Sequence, residues 1–279
     1  MTNNVFLDGL SLTALGVPQV EEFERDFIFH IAELMGGNLD YRESGGKGYP
    51  KTALITGVLE NGFEWSIFCA YGSRNFKQHM NIEAKGQITE QFRDCFLSLN
   101  VAWSLSRADI ALDMIMDYDK GHEICKAYAR KKNIRTSLVG DWEGQEKGRT
   151  YYIGASRSGS ENYIRFYEKG IEMTEKGFDG YPPDLVRLEL EFKPEKHKRE
   201  KIINLQADHI LSFAISPLEL FSSFSDLGIV GVRINGKKDH SFETSIEHML
   251  SQYSNQIKEW GNQKGINSLL QRIIDISKS

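Results

Sequence analysis

The segment Leu185-Val-Arg187-Leu-Glu189-Leu-Glu191-Phe-Lys193 alternates apolar and charged residues almost without a break. A period of two describes a β-strand with unlike faces, because successive strand side chains point to opposite sides. Val186, Leu188, Leu190 and Phe192 form a core face, and Arg187, Glu189, Glu191 and Lys193 share the other. Pro194 cannot donate to a ladder and ends the strand.

Two more segments carry polar groups on one strand face. In Arg107-Ala-Asp109-Ile-Ala111-Leu-Asp113-Met, the side holding Arg107, Asp109, Ala111 and Asp113 opposes Ile110, Leu112 and Met114. Two carboxylates with a small residue between them suit a hard divalent cation; a solvated face with an Arg–Asp pair is the other reading. In Tyr163-Ile-Arg165-Phe-Tyr167-Glu-Lys169, one face carries Tyr163, Arg165, Tyr167 and Lys169. Flanking cations favour a phenolate and suit a phosphate beside it, while a cross-strand aromatic stacked with cations is the structural alternative. Upstream, Thr150-Tyr-Tyr-Ile-Gly154 runs into a turn with Ser156, Arg157 and Ser158, whose hydroxyls and guanidinium suit phosphate oxygens as well as an ordinary surface turn.

The rest of the chain supplies an α+β body. Residues 4–15 read as a first strand, and Pro18 precedes a helix with Phe23, Phe27, Ile31 and Leu34 as its apolar face. Strands over Thr52–Leu59 and Phe63–Tyr71 flank Glu60-Asn61-Gly62, a hairpin signal, and Met80–Ala84 extends the meander. Helices are expected at 87–98 and 121–132. After Pro194 they are expected at 195–209, 216–225, 242–260 and 265–276, with a short strand at 230–234 and an Asn235-Gly236 turn. The expectation is antiparallel sheets with packed helices over 1–193, then a mainly helical region over 194–279 serving DNA binding or dimerisation.

Length and composition fit a globular chain: 279 residues, 40% hydrophobic, 26% charged, six prolines. There is no run of eighteen apolar residues and no basic stretch ahead of the first apolar one. A cytoplasmic protein without a membrane span is therefore expected. Cys69, Cys95 and Cys125 lack metal-site or disulfide spacing and read as buried thiols. The net charge of −5 is local: residues 1–40 hold seven acids against Arg25, leaving +1 for the remainder, with basic clusters in 126–149 and 193–201. No GxxxxGK[ST], GxGxxG, HExxH or GxSxG pattern occurs. Nucleotide-driven, histidine-metal and α/β-hydrolase chemistries lose ground.

In this order, RADIALD, TYYIGASRSGSENYIRFYEKG and LVRLELEFK resemble the replication initiation factor family, which starts rolling-circle replication of plasmids and filamentous phages and includes relaxases of some conjugative elements. The opening VFLDGLSLT resembles its first strand, so the resemblance spans about residues 5–193. It implies a rolling-circle initiator-like fold and a metal-dependent DNA strand nickase and transferase. Tyr167 would be the nucleophile, giving a 5′-phosphotyrosyl link and a free 3′-OH, with Arg165 and Lys169 steadying the phosphate. Tyr151, Tyr152 and Tyr163 are rivals for that role. Relatives of the wider class use a histidine pair that this sequence lacks, so Asp109, Asp113, Glu189 and Glu191 would hold Mg²⁺ or Mn²⁺. Arg157, Ser156 and Ser158 would touch DNA. Origin DNA, duplex and single-stranded, would be the partner, with a host helicase and a second copy of the chain also expected. A DNA-binding regulator that keeps the fold without nicking is the alternative from another class, and a phosphodiesterase without covalent chemistry a third.

Overall fold

The structure, a computed structural model, describes residues 4–15, 17, 18, 20–46, 48–72, 79–143, 147–155, 160–234, 237, 238 and 268. The helices expected at 242–260 and 265–276, and the turn at Asn235-Gly236, lie outside the described residues, apart from Ser268. The chain divides into two compact units, Met1–Lys237 and Lys238–Ser279. The first unit holds a large sheet and the helices packed on it.

Its strands are β1 (Phe6–Ala14), β2 (Asn38–Arg42), β3 (Lys51–Val58), β4 (Glu64–Tyr71), β5 (Asn81–Lys85), β6 (Trp103–Ile115), β7 (Thr136–Val139), β8 (Thr150–Gly154), β9 (Asn162–Tyr167), β10 (Phe178–Asp179), β11 (Leu185–Phe192) and β12 (Gly231–Val232). Its helices are α1 (Glu21–Met35), α2 (Thr89–Ser98), α3 (Tyr118–Lys131), α4 (Lys169–Glu175), α5 (Lys196–Arg199), α6 (Ala207–Ser212) and α7 (Ile215–Asp226). One sheet runs β2-β3-β4-β5-β1-β6-β11-β9-β8-β7, with β12 paired to β6. The expected α+β class with an antiparallel sheet and packed helices is what forms.

The core lies on one face of this sheet. Ala108, Ile110, Leu112 and Met114 of β6 and Val186, Leu188, Leu190 and Phe192 of β11 are all buried there, as alternation predicts, and Leu105 joins them beyond an irregularity at Ser106. β1 reaches the same face through two irregularities in its pairing with β6. Asp8 is an extra residue between the pairs Leu7↔Ile110 and Gly9↔Asp109, and Ser106 is extra between Ser11↔Arg107 and Leu12↔Leu105. A bulge shifts the side-chain phase by one residue. Leu7, Leu10, Leu12 and Ala14 can therefore all face the core despite uneven spacing.

Helix packing corrects two expectations. In α1 the buried face is Glu24, Ile28, Ile31, Ala32 and Met35, whereas Phe23 and Leu34 are exposed. Glu24 can occupy that face because its carboxylate accepts the Gly72 N–H. The helix expected at 195–209 is broken into α5 and α6, with the Asn204 side chain accepting the Gln206 N–H at the break. Such local side-chain acceptors compete with helical hydrogen bonds. Ile202, Leu205, Ile210, Leu211, Leu220, Phe221 and Phe224 join the main core, and the compact unit continues to Lys237.

Elements β2, β7 and α4 were not expected. Residues of β2 alternate exposed and half-buried, and all four of β7 are exposed, so neither carries an apolar pattern. Cys69 and Cys125 are buried and Cys95 is half-buried, all as free thiols; burial pushes the Cys69 thiol up to about 12.

Candidate functional site

The polar face of the sheet is built by register. Across β9, β11 and β6, Tyr167, Arg187 and Asp113 stand in one row, Arg165, Glu189 and Ala111 in the next, and Tyr163, Glu191 and Asp109 in a third. β8 extends these rows with Thr150 beside Tyr167 and Tyr152 beside Arg165. Directly paired residues point to the same side of a sheet. Four sequence segments far apart in the chain thus place their polar groups on one continuous surface.

Ion pairs tie the rows together. Arg187 grips Asp113 in a two-pronged contact, Nε to Oδ1 at 2.5 Å and Nη2 to Oδ2 at 2.9 Å, and its Nη1 lies 3.0 Å from Asp8. Arg107 holds Asp109 the same way at 2.7 Å for both contacts and reaches Glu191 at 2.9 Å. Glu191 also meets Lys193 at 2.5 Å. Arg165 donates to Glu189, and the Tyr167 hydroxyl donates to the other Glu189 oxygen at 3.2 Å. Asp113 and Glu189 are each 2% exposed, and Asp109 4%. Burying carboxylates this deeply is costly unless partners lie this close. Gly9 is needed beside them, since a Cβ there would lie 2.4 Å from Asp109 Oδ2.

A cavity of about 480 Å³ opens over the Tyr167 end of this surface, bordered among others by Asp8, Arg149, Tyr152, Arg165, Lys169 and Arg187. The strand expected to run to Lys169 stops at Tyr167, and Lys169 begins α4. The turn is clamped by Glu168, whose carboxylate accepts from the Arg149 backbone N–H at 2.7 Å and from Nε and Nη2 of the same residue. Lys169 keeps its place beside the phenol, with Nζ 5.7 Å from the Tyr167 ring centre and 2.8 Å from Glu172.

The electrostatics differ from a phenolate held by flanking cations. Burial pushes the Tyr167 phenol well above its ordinary value, and Glu189 adds to the rise against the pull of Arg187. Burial also raises Glu189, opposed by Arg165 and Arg187. The Lys169 ammonium is lowered by burial and by Arg187. For Glu172, burial alone would raise the carboxyl, but Lys169 and Lys176 hold it down at about 2. Tyr167 is therefore a neutral phenol whose proton points at a carboxylate with heightened proton affinity.

The rivals separate clearly. Tyr151 is buried in the core with its ring against His122. Tyr152 borders the cavity, and Tyr163 stacks on it at 5.5 Å and 11° between planes. Of the four tyrosines, Tyr167 is the one with a carboxylate accepting from its hydroxyl. Ser156, Arg157 and Ser158 lie outside the described residues.

The expected metal set does not assemble. Asp109, Asp113, Glu189 and Glu191 spread over three rows of β6 and β11, and each closes on an arginine: Asp109 and Glu191 on Arg107, Asp113 on Arg187, Glu189 on Arg165. Among the described residues, no three His, Cys, Asp or Glu side chains are grouped to hold a metal ion. In this arrangement the donors do not fit a divalent cation. The sequence pattern also gave no sign of Asp8, Arg149, Glu168 and Tyr181 as cavity residues. The opening VFLDGLSLT contains Asp8, but only the β1 bulge and the β1–β6–β11 order bring it to Arg187.

A family model described as Replication initiation factor matches residues 103–208. This segment carries the replication initiation factor pattern. It runs from the start of β6 to the start of α6 and contains all of the sheet's polar rows except the β1 contribution of Asp8. Among solved structures, a rolling circle replication initiator protein from Geobacillus stearothermophilus aligns at 20% identity over 77% of this chain and 79% of its own, with a TM-score of 0.47. The di-domain ARO/CYC StfQ of the steffimycin biosynthetic pathway aligns at 8% identity over 78% of this chain and 98% of its own, with a TM-score of 0.18. A search of curated proteins found no match. Among the described residues, no helix is long and apolar enough to cross a membrane.

Proposed function

We propose that this chain is a rolling-circle replication initiator that nicks one DNA strand with Tyr167. The observation that carries the reading is the 3.2 Å hydrogen bond from the Tyr167 hydroxyl to Glu189, at the edge of a cavity that also receives Arg165, Lys169 and Arg187. The family match over residues 103–208 supports the same reading.

In this reading a phosphodiester enters the cavity and the Tyr167 oxygen attacks phosphorus as its proton passes to Glu189. A half-buried phenol with a raised pKa needs such a base, and a carboxyl whose own pKa is raised is better matched to accept the proton. The bond from phosphorus to the 3′ oxygen breaks, leaving a 5′-phosphotyrosyl link. The departing oxygen takes up a proton to become the 3′-OH, with Lys169, made more acidic by burial, as donor. Arg165 steadies the phosphate charge. The resemblance brings an expectation of Mg²⁺ or Mn²⁺, but the donor arrangement does not fit one, and no step is routed through it.

The test uses supercoiled DNA of the protein's own replicon in buffer containing Mg²⁺ or Mn²⁺. Wild type should nick it and form a covalent protein–DNA adduct, and Tyr167→Phe should form none. An undiminished adduct with Tyr167→Phe removes Tyr167 as nucleophile. Binding without nicking by wild type would favour the regulator, and nicking without adduct the phosphodiesterase.

A further inference from the structure

Tyr152 has no part in the nicking chemistry, yet it stands one row from the nucleophile on the same surface. Its direct partner across β9 is Arg165, while Thr150, two residues earlier on β8, is the partner of Tyr167. Two strand residues span about 6.6 Å, which is about two base steps of a stacked strand at roughly 3.4 Å each. The Tyr152 ring borders the cavity, and Tyr163 backs it in a nearly parallel stack at 5.5 Å. From the far half of the sheet, Phe63 and Trp65 border the same cavity, together with Tyr181, and Phe63 is itself stacked on Phe178 at 4.1 Å and 13°.

Charge alone does not explain how a DNA strand would be held here. The cations bordering the cavity are matched in number by carboxylates, and most are already paired. The phosphate backbone therefore meets no strong net positive field. Stacking does not depend on net charge, since every base offers a π-face to an aromatic ring. A base inside a duplex has both faces covered, whereas an unpaired base has a face free.

We propose that Tyr152, braced by Tyr163, is the platform on which an unpaired base flanking the scissile phosphate stacks, so that the cavity selects single-stranded over duplex DNA. This rests on the reading of the cavity as a nicking site, and the Tyr152 role is a positioning one. A prestacked, half-buried ring costs little side-chain entropy when a base lands on it.

The experiment uses Tyr167→Phe protein, so that cleavage does not interfere, and oligodeoxythymidine carrying one 2-aminopurine. Adding Tyr152→Leu should weaken single-strand binding roughly 5- to 100-fold and abolish quenching of the 2-aminopurine, while duplex of the same length binds as before. Tyr152→Trp should restore both. A perturbation on the DNA side needs no further protein variant: replacing the bases with abasic sites should weaken binding by a similar factor. Unchanged affinity and quenching with Tyr152→Leu, or equal affinity for the abasic strand, would overturn the proposal. Covalent adduct formation is read separately in an otherwise wild-type background. There Tyr152→Leu should lower adduct formation at limiting single-stranded DNA, with the loss recovered at saturating DNA. Single-strand stacking without any adduct from wild type would sink the nicking reading and leave the platform standing.

Discussion

Arg187 shows how much one buried side chain organises. It is 6% exposed, holds Asp113 with two hydrogen bonds, reaches Asp8, and lies over the Phe6 ring at 5.2 Å. Removing it leaves the buried Asp113 carboxyl without its partner. Arg187→Leu should destabilise the fold by about 3–5 kcal/mol in urea unfolding, and Arg187→Leu with Asp113→Leu should recover much of that loss. A double variant no more stable than the single one would show that the pair itself, not the orphaned carboxyl, sets the cost. The pairing also explains why the sequence was ambiguous about its acids. Alternation revealed that Asp109, Asp113, Glu189 and Glu191 share a surface, but not which cation lies beside each, because every partner except Arg107 for Asp109 and Lys193 for Glu191 comes from another strand.

Elements were legible in proportion to the apolar pattern they carry. β6 and β11 carry alternating apolar residues that enter the core, and their positions followed from period two. The exposed β2 and β7 bury too little for any such signal. The face of α1 was misjudged because a buried glutamate with a backbone donor took an apolar position. In α3, Gly121 reveals a demand that only packing makes visible: a Cβ there would lie 2.3 Å from the Phe166 ring on β9. By helix propensity alone, Gly→Ala inside a helix is stabilising. The close approach reverses the sign, so Gly121→Ala should cost about 1–3 kcal/mol, read as a lowered urea midpoint. A stabilised variant would mean that α3 can shift off the sheet without loss.

At the scale of the whole molecule, the helices after Pro194 complete the core of the sheet. Phe224 packs against Phe166 with ring centres 6.0 Å apart, and Tyr128 of α3 shares a 2.8 Å hydrogen bond with Ser216 of α7. A fragment of residues 1–193 should therefore lack near-UV circular dichroism and cooperative unfolding, because it exposes the apolar face that α6 and α7 cover. A fragment of residues 1–237 should retain both. Cooperative unfolding of 1–193 would support the boundary expected from the sequence.

The sequence by itself determined the class of fold, the main strands and their two faces, and the set of polar residues from which a site could be made. These follow from local periodicity, which acts within a few residues. The tertiary structure decided strand order and phase: that β11 lies between β6 and β9, and that a bulge in β1 brings Asp8 to Arg187. It thereby separated a phenol with a carboxylate acceptor from three similar tyrosines, and turned four expected metal ligands into members of ion pairs. Those contacts join residues as many as 179 positions apart, as Asp8 and Arg187 are. No local pattern encodes which strands become neighbours, because that choice is made by how the apolar faces pack together.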